Sequence, residues 1–160
     1  MWPKTRPFAL ILLTRMQVEA AAGKVLAPRA GVAMSPWTDL ALTGASMIER
    51  AEADPLLTQD MLRRTALIIS MGNPEAPSAS PLYGSLANLP PIHIHVVKMR
   101  FCFDDSRRYV SRAQAAGSDV SLNVWQGMTH VFPGNVGALS AAGKALDLIG
   151  GFLTTRFDLP

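Results

Sequence analysis

Apolar residues follow two spacings along the chain. A short run at Gly31–Ser35, bounded by Pro28 and Pro36, predicts a buried strand, and Ile92–Val97 and Val120–Trp125 predict two more strands. The longer segments around them repeat apolar residues at helical spacing. Phe8 to about Ala22 predicts a helix, rich in Leu, Ala, Met and Gln and stopped by Gly23. Gly44 to about Glu52 predicts a short one, broken by Asp54-Pro55. Thr58 is the expected N-cap, and Asp60 the first-turn acid, of a helix running to about Ser70. Its apolar side is expected to hold Met61, Leu62, Thr65, Ala66, Ile68 and Ile69. Asp104 or Asp105 is expected to cap the next helix, which ends near Gly117. The last helix runs from Ala138 to about Thr155, with Leu139, Leu146, Ile149 and Leu153 on one buried face.

Strands alternating with helices predict the α/β class, with about three parallel strands and crossover helices flanking them. The expected organisation is one partial domain over residues 1–160, with 44–72 as peripheral or cap-side helices. Three strands make a small sheet for this length, so the pattern reads as if sheet were missing on the N-terminal side. The segment Asn73–Pro91, with five prolines and three serines, is a long loop of the kind that carries function.

Composition narrows this picture. Hydrophobic residues make up 49% and charged residues 17%, which excludes a disordered chain. The net charge is +3, but the basic residues are scattered, the densest groups being the pairs Arg63-Arg64 and Arg107-Arg108. No basic run is interleaved with aromatics, so no nucleic-acid partner is expected. No apolar run reaches the ~18 residues of a membrane span. Lys4 and Arg6 before an apolar run loosely mimic a secretion signal, but Arg15 cuts the run short. The single Cys102 excludes an intrachain disulfide and fits a reducing, cytoplasmic setting.

Candidate chemistry centres on Val124-Trp125-Gln126-Gly127-Met128-Thr129-His130-Val131-Phe132. A strand ends, a Gly turns the chain, and a lone His stands at the exit. His titrates near neutral pH, and strand exits are where α/β enzymes place catalytic groups. His130 is therefore a candidate general base; the competing reading is a half-buried loop His bonded to a carbonyl. Met128, Val131 and Phe132 could line an acyl pocket or belong to the core, and so could Trp37. His93 and His95, two apart on a strand, face one side and could hold a metal, but a third ligand is not evident. They are expected as partly exposed strand residues, and no metal site is expected. Cys102 has no base placed beside it and reads as an inert thiol.

Five segments in order resemble the hormone-sensitive-lipase-like branch of the α/β-hydrolase fold: Ser35-Pro36-Trp37-Thr38-Asp39-Leu40, Asp54-Pro55-Leu56-Leu57-Thr58, Ser80-Pro81-Leu82-Tyr83-Gly84 through Leu89-Pro90-Pro91, Asp104-Asp105-Ser106-Arg107-Arg108, and Gly127-Met128-Thr129-His130-Val131-Phe132. The resemblance implies Ser-His-acid hydrolysis of small carboxylic esters without a cofactor, with His130 in the catalytic position. It also implies departures. The family nucleophile sits in Gly-x-Ser-x-Gly ahead of the helix that begins near Phe8, and that motif is absent from these residues. The family acid position holds Arg100, and a guanidinium cannot accept the imidazole N–H. Asp104 and Asp105 lie one turn further on and read as helix caps. A pair of compensating base shifts would explain Arg100. Read from the third base of Val96, suitable codons through Phe103 give Gly-Lys-Asp-Glu-Val-Leu-Leu, the family motif, provided Arg100 is AGA or AGG.

The expectation is thus the C-terminal part of an ester hydrolase, inactive by itself. The alternatives are a non-catalytic remnant acting as a self-associating module, and a half-enzyme completed by another chain. In the family sheet the nucleophile strand lies beside the equivalent of Gly31–Ser35. Self-association through that exposed edge is therefore expected.

Overall fold

The computed structural model describes residues 26–50 and 57–157. The helix expected from Phe8 and the break at Asp54-Pro55 lie outside the described residues. Three strands, β1 (Gly31–Met34), β2 (Ile92–Val97) and β3 (Val120–Trp125), form one parallel sheet in the order β1-β2-β3. The register pairs Gly31 with Ile92 and Met34 with His95, then Ile92 with Val120 and Val97 with Trp125. Every residue of the central β2 is buried, as a strand covered on both faces must be. β1 stops at Met34 rather than Ser35, because Ser35 turns into the left-handed region (φ 48) while its N–H still donates to the His95 carbonyl at 2.7 Å.

The helices are α1 (Ser46–Glu49), α2 (Gln59–Ile69), α3 (Phe103–Ala115) and α4 (Ser140–Phe157), with short 3₁₀ turns at Pro81–Tyr83 and Phe132–Gly134. Alternation along β2 assigns the two faces. Ile92 and Ile94 pack with Tyr109, Val110 and Ala113 of α3 and with Leu82, Leu86 and Leu89 of the long loop. His93, His95 and Val97 face the other way, towards α4. A further cluster beyond the strand ends gathers Trp37, Leu40, Met47, Leu62, Ala66, Phe101 and Cys102, which docks α1 and α2 on the rest.

Three helices differ instructively from their sequence patterns. Thr58 does cap α2, its hydroxyl accepting from the Met61 N–H at 3.2 Å. Yet only Leu62 and Ala66 are buried, while Met61, Leu67 and Ile68 are exposed. In α4 the buried positions are Ala142 and Ala145, whereas Leu146 is 40% exposed. Small side chains bring that helix close to the sheet, and the leucines ride its flanks. In α3 the N-cap is Cys102, whose side chain makes no capping bond, and neither Asp104 nor Asp105 acts as a cap. Both lie in the first turn and reach out to other segments.

Candidate active site

The C-terminal ends of β2 and β3 meet where Val97 pairs with Trp125 and the Lys98 N–H donates to the Trp125 carbonyl at 2.8 Å. Beyond that point β3 continues into Gln126 and then Gly127, whose φ of +68° suits a residue without a Cβ. His130 follows in a tight turn closed by the Phe132 N–H on the Thr129 carbonyl at 3.2 Å. Val131 is left-handed (φ 54, ψ 36), a conformation that is an outlier for a β-branched residue. It persists because the next residue is fixed. Phe132 is 1% exposed, its ring 5.0 Å from that of Trp125, in a cluster with Val97, Ala142 and Ala145. His130 itself is half-buried, with both ring nitrogens shielded from solvent.

Arg100, on the loop from β2 to α3, also reaches this turn. Its Nε and Nη2 donate to the Met128 carbonyl at 3.3 and 3.0 Å. The side chain at the expected acid position thus grips the backbone of the histidine loop. Sequence reasoning did not find this bond, and only the motif position of Arg100 could have suggested it.

The other candidates separate from His130. Trp37 is fully buried and its Nε1 donates to the Asp39 carbonyl at 2.8 Å, so it is core. Phe132 is core as well, and Met128 packs part-buried against the same cluster. His93 and His95 are 9% and 1% exposed, which corrects the expectation of partly exposed residues. Trp125 Nε1 donates to His95 Nδ1 at 3.1 Å, which places the His95 proton on Nε2. His93 Nε2 meets the Asn123 amide, and the Phe152 ring of α4 covers it at 5.1 Å. Burial lowers the pKa of His93, and burial together with the neighbouring His93 lowers His95 to about 4. Among the described residues no three His, Cys, Asp or Glu stand together in a way that could hold a metal.

The motif acids instead build a buried scaffold. Asp105 accepts the N–H groups of Thr38 and Asp39 on Oδ2, both at 3.0 Å. Asp104 accepts the Ser46 N–H at 2.7 Å. Arg108 bridges Asp39 at 2.7 Å and Asp105 at 3.2 Å, and the Tyr83 hydroxyl donates to Asp39 at 3.0 Å. Burial first, and the Asp39 charge second, push Asp105 up to about 7 against the pull of Arg108 and the backbone donors. Burial also acts to raise Asp39, but bonds from Thr43, Arg108 and Tyr83 outweigh it and hold that carboxyl below its ordinary value. One cation between two buried carboxylates favours keeping one of them charged. Three of the sequence segments, around Asp39, Tyr83 and Asp105, are thereby tied into one network at the strand exits.

Comparison with known proteins agrees with this geometry. The sequence pattern of the alpha/beta hydrolase fold family matches residues 9–134. An acetyl-hydrolase of Streptomyces hygroscopicus is 35% identical over 91% of this chain and 48% of its own length. An esterase of Acinetobacter venetianus is 31% identical over 67% of this chain and 36% of its own. A crystal structure of an esterase from the bacterial hormone-sensitive lipase family superposes with a TM-score of 0.85 at 35% identity. It covers 92% of this chain and 50% of that one. A hormone-sensitive lipase from a metagenome library gives a TM-score of 0.84 at 29% identity, with 92% and 51% coverage. This chain thus spans between about a third and a half of the length of these two curated relatives. Its parallel sheet, its motif scaffold and these likenesses agree that the chain belongs to the α/β-hydrolase fold family, in the hormone-sensitive-lipase-like esterase branch.

Proposed function

We propose that this chain is the histidine-bearing, C-terminal part of a Ser-His-acid hydrolase of small carboxylic esters, with His130 as its general base. The observation that carries the reading is the position of His130. It stands just past the C-terminal end of a parallel strand, in a turn anchored by Phe132 and by the Arg100 guanidinium. That is where α/β folds collect catalytic groups. In the mechanism the base takes the proton of a Ser hydroxyl as it attacks the ester carbonyl, then hands it to the leaving alcohol. These residues contain no Gly-x-Ser-x-Gly, and Arg100 stands where the acid would orient the imidazole. The chain alone is therefore inactive, and a segment bearing the nucleophile completes the site. A cytoplasmic setting fits the lone buried Cys102. Among the described residues no helix is long and apolar enough to cross a membrane. The test is hydrolysis of p-nitrophenyl acetate by the purified chain beside its His130→Ala variant. Equal background rates are expected, and turnover lost in the variant would reveal a nucleophile within these residues.

A second reading, a non-catalytic self-associating module, is favoured by one observation. Among the described residues β1 pairs only with β2, and Met34 at its end is 41% exposed. An apolar sheet edge of this kind takes up a strand from another chain.

A further inference from the structure

Away from His130, the outer side of α3 forms a groove of about 410 Å3 lined by Thr43, Leu82, Tyr83, Arg107, Arg108, Ser111 and Arg112. Three arginines and three hydroxyl-bearing residues line it and no carboxylate does, although the Thr43 and Tyr83 hydroxyls donate to Asp39 behind it. Arg108 forms its fixed element. It is held from below by Asp39 and Asp105, while its Nη1 donates to the Thr43 hydroxyl at 2.8 Å. Arg107 and Arg112 are exposed at the rim. Arg107 is tethered to Asp104 at 3.3 Å, and among the described residues Arg112 has no carboxylate partner within ion-pair distance. Arg108 and Arg112 stand four apart on one helix face, a like-charge spacing that disfavours the helix. Asp39 and Asp105 offset the charge of Arg108, and departures from a local rule of this kind concentrate at functional or strained sites.

We propose that this groove binds a phosphate or pyrophosphate group carried by a small ligand. Guanidinium forks match phosphate oxygens in pairs, and the exposed Arg107 and Arg112 supply donors at the rim on either side of the fixed Arg108. The volume lies in the usual range of small-molecule sites. The site does not depend on the ester-hydrolase reading.

Calorimetric titration of the full chain with inorganic pyrophosphate tests the proposal. Saturable binding that weakens as salt rises is expected. Arg112→Gln and Arg107→Gln should each weaken it roughly tenfold, while Arg64→Gln on α2, paired with Asp60, should leave it unchanged. Both rim residues are exposed, so neither substitution threatens the fold. Competition between pyrophosphate and vesicles containing phosphatidic acid would place the same phosphate chemistry on a lipid headgroup. Competition by a soluble phosphomonoester but not by vesicles would place it on a free metabolite. No saturable binding at millimolar pyrophosphate, or binding indifferent to both rim substitutions, would overturn the proposal.

Discussion

Arg100 and Met128 are 28 residues apart, and the guanidinium of the first closes on the carbonyl of the second through two donors, at 3.3 and 3.0 Å. The bond pins the loop two residues before His130. A hydrogen bond to a charged group is worth about 1.5–3 kcal/mol. Arg100→Gln should therefore lower unfolding stability by about 2 kcal/mol in denaturant titrations. Arg100→Lys should recover only part, because a single ammonium does not reproduce the fork. Equal stability of all three chains would show that the bond is incidental.

Gly44 sits where a Cβ would meet Arg108 Nη2, the Asp104 Cβ and Asp105 Oδ1, each at 3.2 Å. Two of those neighbours are locked in the buried network and cannot give way freely. Gly44→Ala should cost about 1–3 kcal/mol by overpacking, whereas Gly134→Ala, with nothing within 4 Å, should not. Thermal melts of the two variants decide the point.

Acid should expose two opposing contributions. Asp105 is raised from 3.8 to about 7, so its contribution is fully present below pH 3.8 and is lost as pH rises through 7. His95 is lowered from 6.5 to about 4, so its contribution is present above pH 6.5 and is lost as pH falls through 4. Each spans about 3–4 kcal/mol at most, and the lowered His93 adds to the histidine side. The native chain should change stability little between pH 6.5 and 4. Asp105→Asn removes only the acid-favoured part, so its stability should fall steadily over that window. Parallel pH profiles for the two chains would contradict the assignment.

How much of this was legible in the sequence differs from element to element. The strands showed because short β-branched and apolar stretches stand between turn residues, as Ile92, Ile94, Val96 and Val97 do in β2. Thr58 was legible as a cap because capping is local. The buried face of α4 was misread because leucines outweigh alanines in any hydrophobic pattern, while the close approach of helix to sheet selects Ala142 and Ala145. On α2, Met61 and Ile68 were placed with the core although they are exposed. An apolar residue does not reveal which way it faces when both flanks of a helix carry such residues. Asp104 and Asp105 read as caps because their true partners, Ser46, Thr38 and Asp39, lie some 60 residues away in sequence. His130 could be singled out by its motif, but the Arg100 grip on its loop is a long-range bond that no local pattern encodes.

Among the described residues one edge of β1 is unpaired, and this has a measurable consequence. Gly31-Val32-Ala33-Met34 carries no charge to discourage pairing. The chain is expected to sediment as a dimer or larger species, and Met34→Lys should shift it towards monomer. A monodisperse monomer with a sharp melt in the unmodified chain would mean that this edge is covered.

The central claim is that His130 is the base of an ester-hydrolase site completed by a nucleophile segment from outside these residues. The direct measurement joins this chain to such a segment bearing Gly-x-Ser-x-Gly and follows p-nitrophenyl acetate hydrolysis, with and without His130→Ala. Turnover well above background that drops by several orders of magnitude in the variant is the predicted result. Turnover that survives His130→Ala undiminished would contradict it.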